Sequence, residues 1–549
     1  MPEPMQLDAA LSATPDSPSR VVRACLLGLA ALAVWRYAVT LVAVAKRVMF
    51  PYDFGVWPDE YLLNGLVKLR FGAPIYGSYD DANSFIYTPA VVALHHAVLA
   101  PFGLDLDIVA NRMLAQVWLL LAVALGMRLV IRTSQGALPG RALAIAGTLG
   151  AFATLALAAY SNPVADTIHP AMLELVWLGA TGCVAADWPR FSPRMRTLLA
   201  LLVPACAMLA KQTGVSAAFA LAAVALWSGS GSRRQRLGWA AAALISPVLA
   251  FVALELATRG AFARWGLFLP LRQPKITVNL LFLPAVLAEI APVLVLVSAR
   301  VEHAFERRGE ETHAAWLRVA SVPIAYLPFA MLAFLKIGGG AFDFGAVAFF
   351  AAVLALAQVR TALTTRNAGV FGAWLVVPLA AAQLVLWSPR RPVPDAAKVA
   401  FGSRICSHVA EALACGERVL LDGGMVCLIH GGITTVPRDR GFTIMELAWG
   451  NLRDAGGTAR RLASEQYDLV MLHAIVPPGP WSKKALEALD RHYTMFQSLP
   501  PPATLPDDDL DLNERARLEN WPTLGMLLFE RKRDAGRHRS EIIGPRACP

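Results

Sequence analysis

The sequence predicts an α-helical polytopic membrane protein of about eleven transmembrane helices, followed by a C-terminal soluble α/β domain. Three observations lead there. Of 549 residues, 56% are hydrophobic and 16% charged, with a mean hydropathy of +0.49, which is far more apolar than a soluble domain allows. Apolar runs close to the length that crosses roughly 30 Å of hydrocarbon recur between residues 21 and 387, separated by short polar or Gly/Pro-rich breaks. Beyond residue 389 the pattern changes to short apolar runs alternating with amphipathic stretches.

Taken in order, residues 1–20 are polar and rich in Pro, Ser and Asp. They lack the basic start and small-residue cleavage site of a signal peptide, so the first apolar run is expected to stay as an anchor behind a cytoplasmic tail. Residues 21–389 form the transmembrane domain. Arginines cluster in the breaks at 128–141, 190–196, 233–236, 300–318 and 360–366, which the positive-inside rule places in the cytoplasm. Every second break is then external. The run 198–227 is too long for one ordinary helix and both its flanks are cytoplasmic, so it must be a hairpin with Lys211, Gln212, Thr213 and Gly214 at an external tip. The same parity puts a first external loop at about 50–107, further loops at 160–168, 259–279 and 336–344, and everything after Pro389 outside.

Residues 390–549 read as a periplasmic soluble α/β domain with an extended tail. Residues 418–422 and 467–472 look like buried parallel strands, and 403–414 and 483–493 like helices. The pairs Gly423, Gly424 and Gly431, Gly432 read as turns, because neither GxGxxG nor Walker spacing follows either strand. The tail after Pro500 is Pro- and Asp-rich. Cys406, Cys415 and Cys427 match no zinc spacing; in an oxidising compartment a disulfide among them and free buried thiols are both open.

The formal charge of +10 is spread over breaks between apolar spans, where it sets topology, and nucleic acid is not expected as a partner. Lys46, Arg47, Lys68, Arg70, Arg259, Arg264, Arg272 and Lys275 depart from the charge bias by lying outside. Two readings stand: snorkelling to headgroups of membrane lipids, or a basic surface that receives a phosphate-bearing lipid.

The first external loop is the most informative segment. It carries Asp59 and Glu60, then Gly72 through Tyr76, then Tyr87, Thr88 and Pro89, and ends near Arg112. That order resembles the GT-C class of polytopic glycosyltransferases, which includes protein O-mannosyltransferases, the aminoarabinose transferase of lipid A and RgtA-B-C-D-like enzymes. Asp166 resembles the second external acidic position of these enzymes, and Lys211 with Gln212 their Lys-Gln turn. Lys336 through Gly340 with Asp343 is similar to a later Gly-rich loop, although the Asn common there is absent. The likeness covers about residues 21–387. It implies a bacterial inner-membrane, multi-pass enzyme that moves a sugar from a polyprenyl-phosphate donor to a lipid, glycan or protein acceptor on the periplasmic side, with inversion.

The chemistry wants such residues for its own reasons. A carboxylate must take the acceptor proton, and cations must neutralise the departing phosphate. Asp59 is the expected base, with Glu60 as its substitute and Asp166 sharing the work. Lys211, Arg112, Arg264, Arg272 and Lys336 are the expected donor-phosphate ligands. Tyr76, Tyr87, His169 and Asp343 are expected to line the substrate site. Each has a plainer alternative: helix capping for Asp59, Glu60 and Asp166, headgroup anchoring for Lys211, snorkelling for Arg112 and a loop turn for Asp343. No metal site is assigned, because Asp166 and His169 share a helical face without a third ligand; a divalent metal stays open as a cofactor. His95 and His96 read as structural. Glu174 and Glu255, inside apolar runs, keep a transporter or flippase reading alive beside that of a non-catalytic assembly protein.

Overall fold

The computed structural model describes residues 20–53, 57–78, 81–134, 141–162, 164–273, 275, 280–281, 283–284, 311–336, 341–364, 393–421, 424–437, 457–473, 483–499 and 526–534. Its apolar runs fold as α1 (Arg20–Val48), α4 (Ile108–Thr133), α5 (Arg141–Tyr160), α6 (Pro170–Asp187), α7 (Pro193–Ala210), α8 (Ser216–Trp227), α9 (Arg233–Ala257), α11 (Glu311–Phe334) and α12 (Gly345–Thr364). The first loop adds α2 (Trp57–Arg70) and α3 (Ala90–Leu99), and a π-helical turn at Ala263–Phe268 leads into α10 (Leu269–Arg272). Local chemistry sets the ends. Asp107 caps α4 by accepting the Ala110 N–H at 2.8 Å, Ser192 precedes Pro193 at the start of α7, and Ser232 with Gln235 forms a reciprocal capping box on α9.

Five of these helices (the α1 segment Leu27–Val48, α4, α7, α9 and α11) are long and apolar enough to cross a membrane, and 90–102, 144–160, 212–227 and 345–361 are shorter apolar helices. The expected spans that fall on 285–310 and 365–392 lie outside the described residues. One buried cluster joins α4, α5, α6, α11 and α12 through Leu119, Leu155, Leu178, Trp316 and Phe349. A second holds α7, α8 and α9 together around Trp188 and Trp239. The outward faces stay apolar, with Trp35, Val42, Met113, Val117, Leu256 and Ile324 exposed, as a chain solvated by hydrocarbon requires.

The two ends of the bundle differ chemically. At one end Asp187 accepts from Arg132 Nε at 2.6 Å and Arg128 Nη2 at 3.0 Å, and Glu311 from Arg132 and Arg318 at 3.1 and 3.0 Å. This net staples α4, α6 and α11 at the arginine-rich end. The other end gathers the first loop, the 160–169 segment and the hairpin tip. The hairpin forms as the loop charges require: α7 ends at Ala210, a 3-10 turn spans Gln212–Val215, and α8 returns. Gly214 is obligatory in that turn, since a Cβ there would overlap the Ala207 carbonyl. Gly214→Ala is therefore expected to cost about 1–3 kcal/mol, read as a lower melting temperature in detergent.

Toward the C-terminus, α13 (Ala396–Ala414), α14 (Met425–His430), α15 (Thr458–Ala463) and α16 (Lys483–His492) accompany a four-stranded sheet. Its strands are β1 (Val419–Leu421), β2 (Leu469–His473), β3 (Tyr493–Leu499) and β4 (Met526–Arg531), in the order β1-β2-β4-β3. β1 and β2 pair in parallel, as their unbroken apolar runs indicate. β4 differs from the extended tail expected after Pro500: it inserts between β2 and β3, antiparallel to both. Gly424 and Gly432 adopt φ +83° and +76° at the ends of α14, which is turn geometry. Cys406 of α13 and Cys427 of α14 form a disulfide.

Candidate active site

Arg112 stands near the start of α4, and all five of its guanidinium N–H groups are used inside the protein. Nε and Nη2 donate to Asp59 Oδ2 at 3.0 and 2.7 Å, Nη2 also to the Tyr52 carbonyl at 2.8 Å, and Nη1 to the Phe50 and Arg47 carbonyls at 2.5 and 3.2 Å. The other carboxylate oxygen of Asp59 accepts the Ile168 N–H at 2.8 Å. Asp59 and Arg112 are 0% and 2% exposed. The arrangement commits the Arg112 donors to Asp59 and to the carbonyls of residues 47–52, and makes Asp59 the anchor that fastens Ile168 to α2. One turn further along α4, Gln116 Nε2 donates to the Ala165 carbonyl at 2.9 Å and Gln116 Oε1 accepts from Tyr160 at 2.7 Å. A polar residue four positions from Arg112 in an apolar run was the signal for this second tie.

The segment so fastened carries Asp166. Its carboxylate accepts from Arg47 Nε at 2.5 Å and Nη2 at 3.4 Å, and the Arg47 side chain is 13% exposed. His169 follows as the N-cap of α6, its Nδ1 accepting the Ala171 N–H at 3.2 Å, which leaves Nε2 to carry the ring proton. The Tyr87 ring meets the His169 ring edge-on at 6.0 Å. Tyr76 is buried, donates its hydroxyl to the Tyr87 carbonyl at 2.5 Å and packs on Phe262.

Burial, reinforced by the Lys211 and Lys336 charges, pushes the His169 imidazole well below its ordinary pKa of 6.5. The imidazole is neutral when folded, so between the folded and unfolded pKa values the unfolded chain binds the extra proton. The stabilisation is complete above about pH 6.5 and is lost as pH falls below it. His169→Asn, which keeps a capping oxygen, is expected to flatten the decline in melting temperature between neutral pH and about pH 5.5.

Lys211, at the hairpin tip, lies 3.5 Å from Glu174 Oε2 and 3.8 Å from Asp343 Oδ1. Glu174 also accepts from Thr213 and, at 3.2 Å, from Tyr326. A small cavity beside the group is lined by Asn162, Met172, Glu174, Lys211, Tyr326 and Gly345. Lys336 is half-buried, and its backbone pairs with Lys275 across two loops. Arg264 and Arg272 lie on the exposed face of the neighbouring helical turn. Of the five expected phosphate ligands, Lys211 and Lys336 lie near His169, Arg264 and Arg272 are exposed on the neighbouring turn, and Arg112 is paired with Asp59. Glu60 is 1% exposed, on α2 beside Asp59.

Thr213, Tyr326 and Arg47 were missed as site residues, Arg47 being legible only as a basic residue on the external side. Among the described residues no three His, Cys, Asp or Glu side chains are placed to hold a metal ion. His95 is structural: Trp118 donates to its Nε2 at 3.1 Å, and its Nδ1 meets Asn111 Oδ1 at 2.9 Å.

No family model and no curated protein matches the chain. Among solved structures it is similar to ArnT from Cupriavidus metallidurans bound to undecaprenyl phosphate, at 14% identity over 91% of this chain and 98% of that one, with a TM-score of 0.48. It is also similar to the Archaeoglobus fulgidus oligosaccharyltransferase tethered to an acceptor peptide, at 11% identity over 87% and 75%, with a TM-score of 0.40. Both neighbours are GT-C glycosyltransferases. The likeness is one of fold alone.

Proposed function

We propose that the chain is a GT-C-type membrane glycosyltransferase that moves a sugar from a polyprenyl-phosphate donor to a lipid, glycan or protein acceptor. The reaction inverts the sugar carbon and takes place at the periplasmic face of a bacterial inner membrane, with residues 390–549 on that side. The observation that carries the reading is the pairing of buried Asp59, Asp166, Glu174 and Asp343 with Arg47, Arg112 and Lys211, from separate segments, at the end of the bundle opposite the arginine-rich one. Ionisable groups in such a setting are costly and mark function. The order of first-loop motifs supports the same class.

Two arginine–carboxylate pairs divide the work. Asp59–Arg112 is sealed, and its members hold the loops. Asp166–Arg47 is assigned as the pair that opens, the Arg47 side chain being 13% exposed where that of Arg112 is 3%. A donor phosphate draws Arg47 away from Asp166 and leaves that carboxylate able to accept a proton. The acceptor oxygen attacks C1 as its proton passes to Asp166, and the bond from C1 to the phosphate oxygen breaks with its electron pair leaving on polyprenyl phosphate. Arg47, Lys211 and Lys336 meet the charge that develops there. Asp166 thereby replaces Asp59 as base, with Glu60 as the alternative carboxylate.

The class is tested by transfer of labelled sugar from a panel of polyprenyl-phosphate donors to endogenous lipid and glycan acceptors in membranes carrying the wild-type chain. Donor-dependent transfer is expected. The buried Glu174–Lys211–Asp343 group also suits ion-coupled transport, so solute flux in proteoliposomes without transfer from any donor would replace the enzyme by a transporter or flippase.

A further inference from the structure

The carbonyl cage around Arg112 is built on the turn at residues 50–53, and that turn is backed by the C-terminal helices. Gly402 of α13 lies flat on the Tyr52 ring, where a Cβ would stand 2.5 Å from Tyr52 Cδ2. The Val426 N–H of α14 donates to Asp53 Oδ2 at 3.3 Å. Cys406, one turn beyond Gly402, is bonded to Cys427, the residue after Val426, so one covalent link joins the two surfaces that grip the turn. On the other flank, Asn83 Nδ2 donates to the Pro437 carbonyl, while Asn83 Oδ1 accepts from Asn64 Nδ2 at 2.5 Å. Asn64 stands one turn beyond Glu60 on α2, and both asparagines are at most 2% exposed. A single apolar cluster runs through these contacts, from Tyr61, Leu62 and Leu66 of α2 to Phe401, Ile405 and Val426.

We propose that the disulfide-tied pair α13–α14, with Asn83, braces the acidic helix α2: it holds turn 50–53 in the shape that closes the Arg112 cage and thereby fixes Asp59 and the Asp166 segment fastened to it. Cys406, Cys427 and Asn83 are positioning residues; none touches the reacting atoms. The kinetic consequence of the brace rests on the proposed transferase reading, whereas its structural consequence is independent of that reading. A sequence-distant brace suits a site whose carboxylates lie on loops, because misplacement by about 1 Å can cost a hundredfold in rate. Without the link, the turn is expected to open locally at lower cost than the bundle does.

The test compares the full-length wild type with Cys406→Ser/Cys427→Ser and, separately, with Asn83→Ala, by hydrogen exchange in detergent and by transfer kinetics. In both variants, exchange over residues 50–64 should quicken by about tenfold or more while α9 exchanges as in the wild type. The turnover number should fall by about tenfold to a hundredfold with KM for the donor unchanged. Exchange over 50–64 unchanged in both variants overturns the brace, whatever the kinetics show. So does quickened exchange accompanied by wild-type turnover. If the wild type transfers no sugar, the exchange result alone decides the brace while the transferase reading falls. Should the double-serine variant fail to fold, Asn83→Ala, which keeps the disulfide, decides the brace by the same two measurements.

Discussion

Replacing Asp59 by alanine is expected to lower stability by about 3–5 kcal/mol, because it leaves the Arg112 charge buried without its counter-ion. Arg112 is 2% exposed, and the Ile168 N–H loses its acceptor at the same stroke. Arg112→Met should cost a comparable amount, since it orphans Asp59 and the carbonyls of Arg47, Phe50 and Tyr52. The double variant Asp59→Ala/Arg112→Met should recover part of the loss, because no buried charge remains; the coupling from the four-member cycle is expected at about 0.5–3 kcal/mol, toward the upper end. Chemical denaturation of the purified chain in detergent measures it. Additive costs would show that the two side chains do not act as a pair.

Part of this geometry was legible in the sequence and part was not. The hairpin tip at Lys211 followed from counting arginines on either side of a run too long for one helix, and the structure turns the chain there. The parallel pairing of β1 and β2 followed from two unbroken apolar runs. Asp59, Asp166, Lys211 and Asp343 were each legible as acidic or basic residues at breaks between apolar runs; the structure sets Lys211 beside Asp343 and ties Asp59 to the segment that carries Asp166. Their partners were not legible. Whether Arg112 turns toward a phosphate or toward Asp59 depends on where the carbonyls of residues 47–52 point, and on the 53-residue gap between the two side chains, which no local pattern encodes. Glu174 stood out as an expensive residue in an apolar run, yet Thr213 and Tyr326, which complete its hydrogen bonding, are ordinary in composition and distant in sequence. β4 was hidden for a related reason: its place between β2 and β3 is set by long-range pairing, while its surroundings are rich in Pro and Asp.

Asp166→Asn is expected to reduce the turnover number by about 10²–10⁴-fold, the span of a general base, with the melting temperature little changed. Both halves follow from the same geometry. The amide cannot take the acceptor proton, yet it can still accept a hydrogen bond from Arg47, and the guanidinium reaches solvent once its partner loses charge. Arg47→Ala should behave differently. It removes the cation that exchanges Asp166 for the donor phosphate, so KM for the donor should rise while turnover also falls, because the leaving group is less well stabilised. If the two residues act in one exchange, the double variant should lose less than the product of the single losses. Transfer kinetics at varied donor concentration, with exchange protection of α6 as the folding control, separate these outcomes. Wild-type turnover in Asp166→Asn together with loss in Glu60→Gln would move the base to Glu60. Wild-type turnover in both would remove Asp166 and Glu60 as general bases, and the sealed Asp59–Arg112 pair would then hold the remaining candidate carboxylate.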